Sequence, residues 1–171
     1  MAYRLKYEHG VMPLIPVYPG ASTVTGFVDA TDIGKLVMAS SEGGVLALGS
    51  TADVAKASGI YGIVAAVPTA TTPDSTATPF YIQPLTPFDV VEADYSTSVA
   101  DTTSFLVVTT NIGYVFGVSH TTTVAGAVSI DASVAATAAG TSEWLFFKML
   151  GFSTSRGTMW GLINSSHLVL S

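Results

Sequence analysis

Short apolar runs, separated by glycine, proline and small polar residues, alternate along most of the chain. In the first half they cover residues 27–28, 35–39, 45–48, 60–67, 80–83 and 88–95, and in the second half 105–109, 114–119, 124–130, 144–150, 159–164 and 167–170. Twelve runs of strand length with regularly spaced turn signals are typical of an all-β sandwich or barrel. We therefore expect an all-β fold, a small antiparallel β-barrel or sandwich of about 10–12 short strands.

The N-terminal 26 residues differ from the rest because prolines recur among aromatic and aliphatic residues. Pro13, Pro16 and Pro19 exclude a helix and favour extended backbone, while the apolar content argues against full solvation. The sequence thus predicts an extended arm over residues 1–26, followed by a single β-barrel or sandwich domain over residues 27–171. The arm either covers the core of its own domain or docks on a neighbouring subunit.

Three other segments carry weaker signals. Residues 68–79 contain three prolines and no large apolar residue, which predicts an exposed loop rich in threonine and proline. Residues 51–57 suit one or two helical turns. Residues 132–139 are ambiguous, since alanine favours helix whereas the valine and threonine among them do not.

The run at 144–150 is apolar on both sides of a strand. Trp144, Phe146 and Leu150 would point one way and Leu145, Phe147 and Met149 the other, because side chains alternate along a strand. One face then suits the core and the other a partner, although a central sandwich strand covered by loops has the same pattern.

Charge is scarce in this chain. Only 11% of the residues are Asp, Glu, Lys or Arg, against about 25% in typical domains, and 22 threonines and 18 serines supply much of the polarity. A neutral, hydroxyl-rich surface combined with 49% hydrophobic residues favours self-association, so we expect a homo-oligomer, a dimer or trimer. The six basic residues are scattered singly in the sequence, which predicts no phosphate-binding patch and no direct nucleic-acid binding. No apolar run approaches the length of a membrane helix, so no membrane association is expected.

The residue types of common catalytic and metal sites do not converge in the sequence. His9, His120 and His167 lie in different segments without a second ligand at metal spacing, and cysteine is absent. The carboxylates group only at Asp29 with Asp32, and at Asp89, Glu92 and Asp94, without the pattern of a calcium loop. Glu92 and Asp94 would share one strand face, which we interpret as a solvated sheet edge. We expect no enzyme activity, no cofactor and no metal site.

Two segments resemble a known family. Gly34-Lys-Leu-Val-Met-Ala, a glycine turn, Val45-Leu-Ala-Leu, an alanine-rich spacer and Gly59-Ile-Tyr-Gly-Ile-Val-Ala-Ala are similar to the pattern of tailed-bacteriophage capsid decoration proteins, also called cement proteins. Phe147-Lys-Met-Leu-Gly-Phe152 followed by Trp160-Gly-Leu-Ile-Asn-Ser-Ser-His167 is similar to the close of many small phage head proteins. Together they cover about a third of the chain. The proline-bearing arm and the 68–79 loop are not part of this pattern.

The resemblance implies a structural virion protein that binds the outer surface of an icosahedral capsid and bridges its capsomers. Its partner would be the major capsid protein, and its location the capsid exterior after synthesis in the host cytoplasm. A receptor- or glycan-binding head or fibre domain is the alternative. The residues that we expect to contact other subunits or the capsid are Tyr3, Tyr7, Pro13, Pro16, Tyr18, Trp144, Phe146 and Trp160.

Overall fold

The computed structural model describes residues 3–7, 12–19, 28–39, 45–47, 59–71, 78–96, 112–118, 130–136 and 144–169, some strand residues by their backbone alone. These ranges contain eleven strands and two 3-10 turns. The strands are β1 (Tyr3–Tyr7), β2 (Ile15–Val17), β3 (Leu36–Ala39), β4 (Val45–Ala47), β5 (Ile60–Ala66), β6 (Phe80–Pro84), β7 (Val90–Ser96), β8 (Val115–Val118), β9 (Ile130–Ala136), β10 (Trp144–Ser153) and β11 (Thr158–Ile163), and the turns are Ala30–Asp32 and Ser165–His167.

The first sheet has six strands in the order β1-β7-β11-β10-β8-β9. Its neighbours are antiparallel, and β9 also makes a two-residue parallel pairing with the end of β7. Strands β10 and β11 form a hairpin whose turn ends at Gly157 with φ of 61°, a left-handed conformation that glycine adopts without steric cost.

The second sheet has five strands in the order β2-β6-β5-β3-β4, all antiparallel. Its strand β5 is apolar on both faces, so it suits the interior of the molecule. The neighbouring strands follow the same rule: Leu36 and Val37 are consecutive, point to opposite faces and are both buried.

A shared core joins the two sheets. The first sheet contributes Tyr3, Val91, Ala93, Phe116, Phe147, Met149, Met159 and Ile163, and the second sheet with its flanking segments contributes Leu36, Ile60, Ile63, Leu85 and Leu168. A second apolar cluster contains Val17, Val28, Val37, Val64, Phe80 and Ile82. Since Val37 and Val64 follow Leu36 and Ile63 directly, the second cluster lies on the opposite face of the second sheet.

The predicted all-β fold is confirmed, in its sandwich-like form of two packed sheets. The described parts of the predicted N-terminal arm are extended, and they belong to these sheets: β1 is the edge strand of the first and β2 the edge strand of the second. The Tyr3 N–H also donates to the Gly34 carbonyl at 2.8 Å. The chain therefore provides partners for its own N-terminal segment.

Individual elements depart from the sequence predictions. Residues 132–136 of the ambiguous stretch belong to strand β9 (Ile130–Ala136), because sheet pairing with β8 outweighs the helix preference of alanine, and residues 137–139 lie outside the described part of the chain. The predicted strand at 167–170 is wrong for its described residues. Ser165–His167 is a 3-10 turn in which the Asn164 side chain accepts from the Ser166 N–H, and Leu168 makes a single bridge to Ile60. The predictions at 51–57, 105–109 and 124–129 lie outside the described residues.

The predicted loop at 68–79 is described at its two ends. Residues 68–70 are exposed and carry no strand, as expected. Thr71 is buried instead, because its N–H donates to the Val28 carbonyl and its Oγ1 accepts from the Val28 N–H, both at 2.9 Å. No helical segment in the described ranges is long and apolar enough to cross a membrane.

Candidate interaction surface

The eight predicted contact residues lie in or directly beside four strands, β1, β2, β10 and β11, and those whose side chains are described do not form one patch. Tyr3 is completely buried in the protein's own core, so its side chain is not available to another molecule. Pro13, Pro16 and Tyr18 lie together on or beside β2, and Trp160 lies on β11. Tyr7, Trp144 and Phe146 are strand residues whose side chains lie outside the described part of the structure.

Strand β2 and its flanks form an apolar edge of the second sheet. Ile15 and Val17 pair with Ile82 and Phe80 of β6 and point into the second apolar cluster. The alternating residues, Leu14, Pro16 and Tyr18, are exposed, as is Pro13. Because proline has no N–H to donate, it protects a sheet edge from uncontrolled strand pairing, while the exposed rings still offer contact area. We call Pro13, Leu14, Pro16 and Tyr18 the proline edge.

A cluster of charged residues lies on the side of the first sheet that points away from the core, hereafter the outer face. Register places Arg4, Glu92 and Trp160 in one row across β1, β7 and β11. The Arg4 Nε donates to Glu92 Oε2 at 3.1 Å and Thr158 Oγ1 donates to Glu92 Oε1 at 2.9 Å. Lys6 Nζ lies 4.0 Å from Glu92 Oε2, and Arg156 Nη2 lies 3.4 Å from Glu92 Oε1. Three cations thus surround one carboxylate.

The Glu92 side chain is only 7% exposed, which sets the electrostatics of the cluster. Burial by itself raises the pKa of this carboxyl, but hydrogen bonds from Arg4 and Thr158 and the charges of Arg4 and Lys6 outweigh it, so the pKa is lowered. Glu92 is therefore ionised at neutral pH and tied to its donors. The sequence interpretation of a solvated sheet edge is wrong, because β7 lies between β1 and β11 and its glutamate is buried.

The Trp160 indole is held on the outer face from two sides. Lys6 Nζ lies 3.9 Å from the ring centroid, a distance typical of cation–π contacts. The ring also covers Gly151 of β10, where an added Cβ would come within 2.6 Å of indole atoms. Gly151 is required here for this close approach, and the indole is packed against the sheet instead of standing free as a stacking platform.

The outer face collects most of the cations of the chain. Lys148 is exposed and shares the face, since it is paired with Leu162, two residues from Trp160. With Arg4, Lys6 and Arg156, this places on the outer face four of the five basic residues whose side chains are described, together with the acidic residues Glu92 and Asp94. The fold therefore creates a basic patch that the sequence analysis did not predict. The sequence does not reveal this patch because its basic residues are scattered along the chain. Strand pairing brings together positions as far as 88 residues apart, such as Arg4 and Glu92.

Apolar groups accompany these cations. Val90, Val115, Leu162 and Trp160 are partly exposed on the outer face, and Leu150 is 42% exposed beside the bulge of β10. The predicted division of β10 holds for its described side chains: Phe147 and Met149 are in the core, whereas Lys148 and Leu150 are exposed.

Other titratable groups in the described part of the chain make local contacts. His167 Nδ1 lies 3.1 Å from Ser166 Oγ, and this oxygen is also 3.1 Å from Asn164 Oδ1, so the contacts of His167 and Ser166 stay within the 3-10 turn and its cap. Partial burial lowers the pKa of His167. Lys35 pairs with Asp32, three residues before it. Among the described side chains, no three His, Cys, Asp or Glu residues are placed to share a metal ion. His9 and His120 lie outside those ranges.

Comparisons with known proteins returned no match, neither to a family model nor to a curated protein nor to a solved structure.

Proposed function

We propose that this protein is a structural virion protein that binds the outer surface of an icosahedral bacteriophage capsid and stabilises it by bridging capsomers. The partners in this proposal are the major capsid protein and further copies of this chain, as a dimer or trimer. The role requires no catalysis, cofactor, nucleic acid or membrane. The protein would be made in the host cytoplasm and reside on the capsid exterior.

The observation that carries the proposal is the proline edge. Pro13, Leu14, Pro16 and Tyr18 present apolar groups on a strand that is already paired along its other side with β6. An edge of this kind suits contact with a broad neutral surface, and many modest contacts made by many copies add up through avidity. The segments that carry the family resemblance support it: they form β3, β4 and β5 of the second sheet and the β10–β11 hairpin of the first.

The test compares capsids without the protein, with the wild-type protein and with a Leu14→Ser, Tyr18→Ala variant. Both substituted side chains are exposed, so the fold should be retained. We expect wild-type protein to raise the temperature at which shells rupture, and the variant to occupy fewer sites. Ile112→Ser, a change at an exposed apolar residue away from β2, is the matched control. Equal rupture temperatures with and without the protein would refute the role, and equal occupancy by the variant would exclude the proline edge as the contact.

A second candidate, a receptor- or glycan-binding head or fibre domain, draws on Phe88. This ring is 69% exposed in the turn before β7, the kind of position from which an aromatic side chain can stack on a ligand. Copy number separates the two candidates, because shell binding requires many copies per particle and a fibre tip only a few.

A further inference from the structure

Two turns lie at the same end of the first sheet. The first covers residues 86–89 and leads into β7, and the second covers residues 164–167 and follows β11. They share this end because β7 and β11 are antiparallel neighbours, and Val90 at the start of β7 pairs with Leu162 near the end of β11. Residues far apart in sequence are thereby brought together at one surface.

The start of β5 anchors both turns. Leu85, just before the first turn, donates its N–H to the Tyr61 carbonyl at 3.2 Å, and its side chain lies in the shared core. Leu168, just after the second turn, also lies in the shared core and makes a bridge to Ile60. Because Ile60 and Tyr61 are consecutive, the flanks of the two turns are fixed at neighbouring points of one strand.

The first turn presents an aromatic ring on a rigid support. Phe88 is 69% exposed, more than any other large apolar side chain that the structure describes. The Asp89 N–H donates to the Thr86 carbonyl at 3.2 Å, and the buried Asp89 carboxylate accepts from the Thr86 N–H at 2.7 Å. Pro87, with its fixed φ, completes the turn. The backbone that carries the ring is therefore ordered before a ligand arrives, which lowers the entropy cost of binding.

The second turn presents polar groups. Asn164, Ser165 and Ser166 are exposed, and Asn164 Oδ1 accepts from the Ser166 N–H at 3.2 Å, which fixes the orientation of the amide. The Asn164 Nδ2 group, which can donate two hydrogen bonds, and the Ser165 hydroxyl make no hydrogen bond to another described residue. These groups are available to a ligand that offers hydroxyl partners.

The chemistry of the two turns selects the class of ligand. Their ionisable residues are Asp89, which is buried, and His167, whose pKa is lowered by partial burial, so neither turn offers an exposed charge at pH 7. A wholly apolar ligand would cover the Asn164 amide and the Ser165 hydroxyl without replacing their hydrogen bonds to water. A sugar ring fits both conditions, because its C–H face can pack on an aromatic ring while its hydroxyl groups bind polar side chains.

We propose that Phe88, Asn164 and Ser165 form a binding site for a neutral carbohydrate. Phe88 packs on one face of a sugar ring, and the amide and hydroxyl of the second turn bind the hydroxyl groups of the sugar. The inference rests on the second candidate function, that of a glycan-binding domain, and deepens it by naming the site and the ligand class. An open site with one aromatic ring binds a single sugar weakly, so many copies on one particle would act through avidity.

The first experiment measures binding of the purified full-length chain to immobilised neutral oligosaccharides of glucose, galactose, mannose and N-acetylglucosamine. We expect binding to at least one of them. Phe88→Ala should weaken that binding about tenfold or more, whereas Phe88→Trp, which keeps an aromatic surface, should retain it. The matched control is Tyr18→Ala, which removes an exposed aromatic ring from the proline edge and should bind as wild type does.

The second experiment tests the polar half of the site. Asn164→Asp keeps the side-chain oxygen that accepts from the Ser166 N–H and removes the amide donors, and Ser165→Ala removes a hydroxyl. The double variant should weaken binding about threefold to tenfold or more. Thermal unfolding checks that each variant keeps its fold. A double variant that binds as tightly as wild type would overturn the assignment of these polar contacts.

The outcomes separate failure of the site from failure of the function. A wild-type chain that binds none of the neutral oligosaccharides overturns the proposal together with the glycan-binding candidate. Binding that is unchanged in Phe88→Ala overturns the site and leaves that candidate standing. Preference for sialylated oligosaccharides, tested in parallel because the exposed cation Lys148 pairs with Leu162 close by, overturns the neutral ligand class. If no oligosaccharide binds and Phe88→Ala loses capsid binding, the occupant is the shell and the proposal is wrong.

Discussion

The two sheets differ in what they bury. The second sheet is apolar on both faces: Leu36 and Ile63 pack in the shared core, whereas Val37 and Val64 pack in the second cluster. The first sheet buries one face in the shared core, and the described side chains of its other face include a buried glutamate surrounded by arginine and lysine. Six of the ten charged residues whose side chains are described lie on this second face.

The comparison separates two ways of stabilising a β-sheet. On the second sheet, apolar burial acts on both sides and depends little on pH or salt. On the outer face of the first sheet, hydrogen bonds and ion pairs join β1, β7 and β11, and their strength depends on the protonation of Glu92. Substitutions in the second sheet and on the outer face should therefore change the free energy of unfolding by different amounts and with different pH dependence.

The largest expected effect tests whether the second cluster is a true core. Phe80→Ala should lower the free energy of unfolding by about 3–5 kcal/mol, because it removes a completely buried ring and leaves a cavity. Phe147→Ala, in the shared core, should cost a similar amount. Urea denaturation measures both. A Phe80→Ala cost below about 1 kcal/mol would show that the second face of this sheet is not a packed core.

The next effect concerns the ionic cluster. Glu92→Gln should lower the free energy of unfolding by about 1–3 kcal/mol, because it leaves Arg4, Lys6 and Arg156 close together without their shared counter-charge. Asp94→Asn is the control: Asp94 is 41% exposed and lies 3.9 Å from Arg4, so its loss should cost less than about 1 kcal/mol. Equal costs for the two variants would contradict the central position of Glu92.

Acid should remove this difference. The folded-state pKa of Glu92 lies below its ordinary value of 4.5, so the carboxylate stabilises the fold above that pH and the contribution is lost as the pH falls through the lowered pKa. The gap in unfolding free energy between wild type and Glu92→Gln should therefore be full at pH 7 and shrink below pH 4.5. Denaturation at a series of pH values measures it. Some acid sensitivity should persist in the variant, since hydrogen bonds from Thr31 also lower the pKa of Asp29. A gap that is constant with pH would contradict the assignment.

Local pattern was sufficient to predict the fold class. Alternation and turn signals placed most of the described strands within a few residues, as in β5 (Ile60–Ala66) and β11 (Thr158–Ile163). These signals fail where a side chain binds the backbone groups that strand pairing would use. The Asn164 side chain caps a 3-10 turn, and the last predicted strand does not form there.

The ionic cluster could not be predicted in the same way. Arg4 with Lys6, and Glu92 with Asp94, each show the two-residue spacing of one strand face, but the sequence does not say which strands are neighbours. Strand β1 pairs with β7, which is distant in sequence, because Tyr3 and Val91 pack in the shared core. This pairing brings the charged side chains of the two strands together.

The smallest expected effect is that of Tyr3→Phe. The Tyr3 side chain anchors β1 from the core side of the first sheet, opposite the ionic cluster. Its hydroxyl is buried and has no hydrogen-bond partner among the described residues, and burial, followed by the charge of Asp94, raises its pKa. Tyr3→Phe removes an unsatisfied polar group and keeps the ring, so the free energy of unfolding should change by less than about 1 kcal/mol or increase. Tyr3→Ala, which also removes the ring, should cost about 3–5 kcal/mol. If Tyr3→Phe is instead strongly destabilising in urea, the hydroxyl must bind a partner such as a buried water, and β1 is held by polar contacts on both faces.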